Sequence, residues 1–557
     1  MKKRLIVPLL IAPLFLFGCG KNKNVYASSK NTIYKFELNG EDAIITGLND
    51  KYKNQGDIII PYSIDKHVVK KIEKRAFEGV YRLKNVDMSK SKVEEIGEYA
   101  FKNCSGLEVL NLDDAITKID EGAFMECKTM TSFDLSAYNI EVISDYAFSK
   151  CESLTDIKLP NSCTTLGSYV FDGCTSLTDL DLSNTSIKTI EEYGLYNVAN
   201  LKSVAFPTAL EEIKEYALSE NALIRRADLS KTSIKKIGDN AFSNCKALTN
   251  VDLASSLEEI GVKAFYRCPK LEKIDFSGTQ VKTISESCFE LCSSLKQIVS
   301  FGQVETISSR AFYSSDLTTI NISKSVKSIA DDAFVMCKSL SKITVLDGNT
   351  AYTDVDGILY TANKDTLLVF PSLLKKEVYE APGSLVKINQ YAFANAIYLK
   401  TVKLESANSN FDTIDDFTFM NCTALETFTS DDTAECGIKK IGVKAFFGCS
   451  SLTEFYSSYA LEEIGESAFY DCVSLTKVDL IKSQLTKIDT EAFFNCNKLK
   501  TLTLDGALET IGRSAFVNCL SDETSITYGS NSTDLLRLLA DNPNTGLDKY
   551  KDSIIFA

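Results

Sequence analysis

Tryptophan is absent from this chain of 557 residues, histidine occurs once, at His67, and acidic residues outnumber basic ones by 75 to 61. A single imidazole leaves almost no room for Ser-His-Asp or Cys-His catalysis, or for zinc sites with several histidines. The net charge of −14 argues against nucleic acid and anionic lipid surfaces as partners, because both attract basic proteins. The hydrophobic share of 44% and the charged share of 24% are those of a globular protein.

The N-terminus carries a targeting segment. An apolar stretch of 13 residues follows three basic ones and is shorter than the roughly 20 residues that a membrane-spanning helix needs. Residues 1–18 are therefore predicted to be a signal peptide, and the polar residues 19–31 a tether. An ordinary secretory signal that happens to contain a cysteine is the alternative to a lipoprotein signal. The end of the stretch resembles a bacterial lipobox with Cys19 as the lipidated residue, and reads Leu16-Phe17-Gly18-Cys19.

One block recurs through most of the chain. It reads small residue, Phe, any two residues, Cys, and neighbouring copies are mostly 23 or 24 residues apart. Because a fixed period of roughly 20–50 residues is typical of a solenoid, residues 71–520 are predicted to form one elongated body. The phenylalanines of the complete copies are Phe101, Phe124, Phe148, Phe171, Phe242, Phe265, Phe289, Phe334, Phe419, Phe446, Phe469, Phe493 and Phe516.

The coil that contains Phe171 illustrates the predicted fold class. Leu154, Ile157 and Leu159 follow the L-x-x-L-x-L pattern of leucine-rich repeats, and the last two alternate as in a half-buried strand. Leu166 and Phe171 must also point inward, the latter from a short turn of the 3₁₀ or single-turn helical type. The prediction is a β-rich leucine-rich repeat solenoid, with a parallel sheet on its concave side and these short turns on its convex side.

The repeat is similar to the BspA-like, type 5 leucine-rich repeats of bacterial surface proteins, over about residues 72–519. Segment 344–393 resembles the longer, hairpin-containing coil of that family, and residues 32–70 resemble its β-rich N-terminal cap. Family members are described as adhesins or interaction scaffolds, so the resemblance implies protein binding without enzymatic activity or a cofactor. Residues 521–557 depart from the repeat and are predicted to be a C-terminal cap with a short helix.

Thirteen of the 17 cysteines occupy the last position of the block. Stacked coils would bring neighbouring cysteines within disulfide range, so geometry alone does not exclude bridges. Coils without the cysteine carry small residues in its place, such as Val80 and Ser315, and runs of odd length cannot pair completely. We therefore expect buried free thiols and no zinc site, whose ligands would come in short-range clusters. Cys436, in a polar loop, is expected to be the most exposed thiol.

Acidic residues recur at an outward position of the predicted strands. Five of them lie 47 residues apart, so every second strand carries one, at about 10 Å from the next, which is too far to share a metal ion. Two interpretations stay open: a solvated face in which each Asp bonds a nearby Ser or the backbone, or a negatively charged concave strip that attracts a basic partner. The candidate binding residues are Asp87, Asp134, Asp181, Asp228, Asp275 and, on a later strand, Tyr456.

Two further motifs have simpler structural explanations. The sequence from Asp354 to Gly357 begins like a calcium loop but lacks the later ligands, whereas Asp-Gly between two strands predicts a type I′ hairpin. Adjacent glutamates such as Glu94 and Glu95 recur in many coils, whereas a glycosidase needs one pair of carboxylates in a distinct environment.

The sequence as a whole favours a lipid-anchored, monomeric, non-enzymatic protein at a bacterial cell surface. Its predicted partner is an extracellular protein, of a host matrix or of another bacterial surface, and the lipid on Cys19 is its predicted contact with the membrane. The alternative is a glycan-binding surface lipoprotein of a nutrient-uptake system, for which 24 tyrosines offer aromatic surface. A hydrolase is the weakest hypothesis, because a nearly periodic chain offers no unique constellation of residues.

Overall fold

The computed structural model describes residues 25–404, 407, 410–429, 437–481 and 483–556. The predicted signal peptide, its lipidation residue Cys19 and the loop residue Cys436 lie outside these residues. Within them the chain winds into a solenoid of about 21 stacked coils, which confirms the predicted fold class. Each regular coil has three sides, formed by a three-residue strand, a two-residue strand and a pair of tight turns.

The strand of the L-x-x-L-x-L segment forms the first side, and we call the stack of these strands row A. In Asp156–Lys158 the middle residue is buried and its two neighbours are exposed, as the alternation of a strand requires. Neighbouring strands run parallel, so that Ile157 pairs with Phe133. Row A consists of Asp57–Ile59, Asn85–Asp87, Val109–Asn111, Ser132–Asp134, Asp156–Lys158, Asp179–Asp181, Ser203–Ala205, Arg226–Asp228, Asn250–Asp252, Lys273–Ile274, Gln297–Ile298, Thr319–Ile322, Lys342–Val345, Val378–Glu380, Thr401–Lys403, Thr427–Thr429, Glu454–Tyr456, Lys477–Asp479, Thr501–Leu504, Ser525–Tyr528 and Ile555–Phe556.

The second side, row B, is a stack of shorter parallel strands. Most of them end in a buried apolar residue, usually Ile, that follows one outward residue, as in Glu95–Ile96. The stack runs unbroken from the N-terminal strands to Ile260 and continues in further segments. Row B consists of His67–Ile72, Glu95–Ile96, Lys118–Ile119, Val142–Ile143, Thr165–Leu166, Thr189–Ile190, Glu212–Ile213, Lys236–Ile237, Glu259–Ile260, Thr283–Ile284, Thr306–Ile307, Ser328–Ile329, Thr366–Val369, Lys387–Ile388, Thr413–Ile414, Lys440–Ile441, Glu463–Ile464, Lys487–Ile488 and Thr510–Ile511.

The third side, which we call the turn wall, contains the Phe-x-x-Cys block. Its N–H groups alternate between two partners: that of Lys102 donates to the carbonyl of Tyr99, three residues back, and that of Phe101 donates to Ala123 of the next coil at 2.8 Å. The bonds within the coil are of the 3₁₀ type that the sequence predicts. Tyr99 and Asn103 both have positive φ angles of 55°, which do not occur within a right-handed helix. Each turn therefore ends after a few residues, and the wall is a series of turns and not a helix.

The core is a column of phenylalanine rings. Phe265 stacks on Phe242 and on Phe289, with 5.3 Å between ring centroids on each side and interplanar angles of 11° and 3°. The cysteine slot lies beside this column: the Cys151 thiol donates to the carbonyl oxygen of Phe124 in the previous coil at 3.2 Å. The fifteen described cysteines are buried and unpaired, so the predicted burial of the thiols is confirmed for them.

Segment 344–393 forms the predicted longer coil. Its strands Tyr352–Val355 and Ile358–Thr361 pair antiparallel around Asp356 and Gly357, which have positive φ angles of 53° and 88°. Two consecutive positive φ angles define the type I′ turn, so the hairpin prediction is confirmed. The chain then rejoins row B through Thr366–Val369, which pairs with Lys387–Ile388.

Both ends of the solenoid carry additional elements. A C-terminal helix, Ser532–Asp541, is capped by the Asn531 side chain, which accepts from the N–H of Asp534 at 3.0 Å, and it buries Leu535, Leu538 and Leu539. At the N-terminal end, the Tyr34 ring meets the edge of the Phe77 ring with 6.4 Å between centroids. The remaining elements are the strands Tyr26–Ala27, Tyr34–Asn39, Asp42–Leu48 and Ser63–Ile64 and the 3₁₀ turns Asp50–Tyr52 and Lys551–Ser553.

We expect Phe265→Ala to destabilise the middle of the solenoid by about 3–5 kcal/mol, because it leaves a cavity in the ring column. Coils contact only their neighbours, so hydrogen exchange should accelerate around Phe242 and Phe289 and stay unchanged around Phe493. The control is Val262→Ala in the same coil, whose side chain is exposed. A uniform change along the chain, or an equal effect of the control, would contradict this account.

Burial raises the pKa of the Cys151 thiol to about 12, and it raises the pKa values of Cys127 and Cys268 well above the ordinary value. Because the thiolate is the reactive form, iodoacetamide at pH 8 should leave these three of the fifteen buried cysteines unmodified in the native protein. After denaturation without a reductant, peptide mass spectrometry should find all fifteen labelled. Labelling of Cys151 in the native state, or unlabelled pairs after denaturation, would show that the thiols are accessible or bridged.

Candidate protein-binding surface

Row A presents two outward positions on each strand, and the sequence-predicted aspartates occupy one of them. Asp87, Asp134, Asp181 and Asp228 are the last residues of their strands, and Asp275 directly follows Lys273–Ile274. In the middle of this series the row A strands are hydrogen-bonded in pairs, and an aspartate ends the first strand of each pair: Ser132–Asp134, Asp179–Asp181 and Arg226–Asp228. Asn85–Asp87 is instead the middle strand of three, and Lys273–Ile274 begins a segment of four.

A serine two residues further on holds each of these aspartates. The Asp181 Oδ1 atom accepts from the N–H of Ser183 at 2.9 Å and from its hydroxyl at 2.6 Å. Asp275 accepts the corresponding N–H of Ser277 at 2.9 Å. Asp87, Asp134 and Asp228 accept both bonds from Ser89, Ser136 and Ser230. These five residues therefore show the first of the two interpretations, in which each Asp bonds a nearby Ser or the backbone.

In three of these aspartates the hydrogen bonds also affect the pKa of the carboxyl group. The serine hydroxyls favour the ionised form and hold the pKa values of Asp134, Asp181 and Asp228 below their usual range. Only one oxygen of each carboxylate is used in this way. The second oxygen of Asp134 lies 3.2 Å from the Lys158 ammonium, and that of Asp228 lies 3.4 Å from the Arg226 guanidinium.

Three successive strands concentrate the negative charge. Asp134, Asp156, Asp179 and Asp181 are all exposed on Ser132–Asp134, Asp156–Lys158 and Asp179–Asp181, and we call these four residues the acidic patch. The cation on these strands is Lys158. Sequence reasoning missed Asp156 and Asp179, because it followed only the last outward position of each strand; the first outward position carries the same alternation and would have revealed them.

Tyr456 lies apart from the acidic patch. Its strand, Glu454–Tyr456, is many coils further along the solenoid, at more than about 30 Å by the spacing of stacked strands. The Tyr456 hydroxyl donates to Glu454 Oε2 at 2.7 Å, and the Lys477 ammonium lies 4.7 Å from the ring centroid. The structure therefore does not bring all six predicted binding residues into one site.

Charged residues of row B are engaged in stacking the coils. Lys71, Glu95 and Lys118 form a ladder with N···O distances of 3.1 and 3.4 Å, and Lys118 lies 3.0 Å from Asp120. Burial raises the pKa of Asp120, as a hydrogen bond with Glu95 also does. The same arrangement recurs as Lys440, Glu463, Lys487 and Asp489, with distances of 3.0, 3.0 and 2.8 Å. A repeated ladder of this kind is structural, so Glu95 and Asp120 are not a unique acid-base pair.

Neither a metal-binding cluster nor a membrane-spanning helix occurs among the described residues. No cluster of three or more His, Cys, Asp or Glu side chains in that part of the chain is arranged to hold a metal ion. None of the helices in the described ranges is long and apolar enough to span a bilayer.

Comparison with known proteins identifies the repeat. A model described as "BspA type Leucine rich repeat region" matches the chain in six copies, over residues 51–142, 123–233, 227–341, 370–436 and 412–537. These matches cover most of the solenoid on both sides of the hairpin coil. No curated protein sequence matches the chain significantly.

Several solved structures are similar to this chain. A leucine-rich repeat protein from Eubacterium ventriosum is 24% identical over 56% of this chain and 84% of its own, with a TM-score of 0.42. A leucine rich cell surface protein from Faecalibacterium prausnitzii is 21% identical over 91% and 96%, with a TM-score of 0.32. The pneumococcal vaccine antigen PcpA is 16% identical over 94% and 96%, with a TM-score of 0.36.

Proposed function

This chain belongs to the BspA-type leucine-rich repeat family, and on that premise we propose that it is a non-enzymatic surface lipoprotein that binds other proteins through row A. The observation that carries the proposal is the acidic patch. Its four carboxylates are outward, exposed and placed on strands that the stacked coils hold in position. A preformed surface loses little conformational entropy on binding, and its charge favours a basic partner.

The partner is proposed to be an extracellular protein with a basic surface. Lys158 offsets only part of the charge of the acidic patch, since it pairs with Asp134. The neighbouring side chains Asp179 and Asp181 point the same way on one strand, and hydrogen bonds from the hydroxyls of Ser203 and Thr178 hold the pKa of Asp179 below its usual range. Four acidic side chains within three strands would steer a basic protein toward this part of row A.

The glycan-binding alternative receives less support from the aromatic residues. Tyr146, Tyr169, Tyr193 and Tyr216 form a ladder on the turn wall, with 5.2, 4.8 and 5.0 Å between successive ring centroids and nearly parallel planes. Stacked rings cover one another's faces, and sugars bind tyrosine through those faces. The ladder instead stabilises neighbouring coils, so we rank protein binding ahead of glycan binding.

Removing the charge of the acidic patch should weaken partner binding. We expect the variant Asp134→Asn, Asp156→Asn, Asp179→Asn, Asp181→Asn to bind the basic members of a panel of purified matrix and bacterial surface proteins about tenfold more weakly, because long-range attraction is lost. Surface plasmon resonance on the full chain measures this, and added salt should reduce the parent's affinity more than the variant's.

The matched control removes four exposed glutamates from the turn wall, Glu192, Glu215, Glu286 and Glu466, by substitution with Gln. It changes the net charge by the same amount and should keep the parent's affinity. Equal loss of binding in both variants would indicate a nonspecific charge effect. Unchanged binding in the Asn variant, or sugar hits on a glycan array without protein hits, would refute protein recognition by the acidic patch.

Membrane attachment is proposed to depend on Cys19, since a lipid chain on this residue would hold the solenoid at the membrane. The linker would be shorter than the predicted tether of residues 19–31, because Tyr26–Ala27 already pairs with Ser63–Ile64. Cys19→Ala should move the protein from the membrane to the soluble fraction when cells are fractionated, and metabolic labelling with a fatty acid should be lost. Cys163→Ala, at a buried thiol, is the control and should leave both unchanged. A Cys19→Ala protein that stays membrane-bound would show that the anchor is elsewhere.

A further inference from the structure

Row A is interrupted at the hairpin coil. Lys342–Val345 is the last strand of one hydrogen-bonded segment, and Val378–Glu380 is the first strand of the next. At the interruptions after Lys158, Ala205 and Asp252 the following strand still lies alongside. Here the tip of the hairpin intervenes instead: the N–H of Ile343 donates to the carbonyl of Gly357 at 3.0 Å.

The hairpin leaves one edge of Val378–Glu380 without a strand partner. On its other edge this strand pairs with Thr401–Lys403, where the N–H of Thr401 donates to Glu377 and that of Ala381 donates to Lys403. In a parallel pair, alternate residues direct both backbone groups to the same side. The N–H and C=O groups of Val378 and Glu380 therefore face the hairpin, and none of the described residues accepts a hydrogen bond from these two N–H groups.

A cavity of about 400 Å³ lies between this open edge and the hairpin. The buried rings of Tyr360 and Tyr379 are among its lining residues, and their hydroxyl groups are 3.4 Å apart. The Lys376 ammonium reaches across to Asp356 Oδ2 at 2.8 Å. The space is thus bounded by a strand edge on one side and by the hairpin tip on the other.

The rim of the cavity combines exposed apolar and acidic side chains. Val355 and Val378 are exposed apolar residues of this rim, at 36% and 40%. Asp356 and Glu380 remain 65% and 68% exposed even though each contacts a lysine. A segment with alternating apolar and basic side chains matches this rim, and its backbone would supply the missing hydrogen bonds of the edge.

We propose that the open edge of Val378–Glu380 binds an extended peptide segment of a partner protein by adding a strand to row A. The peptide backbone pairs with the N–H and C=O groups of Val378 and Glu380, and its basic side chains lie against Asp356 and Glu380. The inference deepens the proposed protein-binding function, on which it rests, and assigns a second contact far from the acidic patch.

The test uses the full chain and a fluorescein-labelled octapeptide of alternating Lys and Val, followed by fluorescence anisotropy. The same peptide, N-methylated on alternate amides, keeps its charge but cannot pair as a strand, and we expect it to bind at least tenfold more weakly. An octapeptide of alternating Glu and Val should bind more weakly still. Equal affinity for the first two peptides would overturn strand addition, and equal affinity for the Lys and Glu peptides would overturn the basic specificity.

Two proline variants locate the site on the strand. Glu380→Pro removes an N–H that faces the hairpin and should weaken the Lys-Val peptide at least tenfold, since proline is tolerated at strand edges. Glu377→Pro loses the same charge but removes an N–H that faces the other way, and it should bind like the parent. If the two variants bind alike, the peptide does not use this edge. Should Glu380→Pro fail to fold by circular dichroism, the N-methylated peptide decides the question on the unmodified protein.

Hydrogen exchange gives a direct readout at the backbone. The amides of Val378 and Glu380 should exchange rapidly in the free protein and become protected when the Lys-Val peptide binds, and exchange that stays unchanged at saturation would overturn the proposal. The Asn variant of the acidic patch distinguishes peptide binding at this edge from the broader protein-binding function. Its Asn variant should bind the peptide normally, so loss of peptide binding and loss of partner binding can be observed independently.

Discussion

A single coil of this chain cannot enclose its own apolar side chains, because it is only one strand spacing thick, about 4.8 Å. Phe265 is buried because Phe242 and Phe289 cover both faces of its ring. The coils must therefore repeat at the same spacing on all three sides. Row A, row B and the turn wall each achieve this with hydrogen bonds between coils, and the buried thiols add a bond from each cysteine slot to the previous coil, as at Cys151.

The outward side chains of row A and row B differ in how far they take part in stacking, and this difference decides which of them are available for recognition. In row B the outward charges connect neighbouring coils, as in the ladder of Lys71, Glu95 and Lys118. In row A, Asp181 is positioned by a serine of its own coil, Ser183, while Asp134 and Asp179 also contact Lys158 and Ser203 of the next coil. The charges of row A are less committed to stacking than the ladders of row B, which makes row A the better surface for a partner.

The sequence predicts those features that depend on period and composition. The spacing of Phe-x-x-Cys predicts the solenoid and the buried thiols, and Asp356-Gly357 predicts the hairpin, because each follows from a local physical preference. The turn wall is different. Its left-handed positions hold Tyr99, Tyr146 and Tyr169, residues that disfavour positive φ, so the inter-coil bonds and the ring stacking that stabilise them appear only when the coils are assembled.

The same reason explains why the open edge could not be read from the sequence. The extra length of segment 344–393 predicts a longer coil, but not whether its hairpin pairs with the strand before it, with the strand after it, or with both. In the structure Gly357 bonds to Ile343 on the preceding side, and the edge of Val378–Glu380 stays open. A regular solenoid offers partners only side chains, since its backbone groups are consumed in stacking. At an interruption of this kind the backbone N–H and C=O groups of an edge strand become available to a partner. A partner segment that pairs with them is held in one register along the strand, which attraction to a charged patch alone does not define.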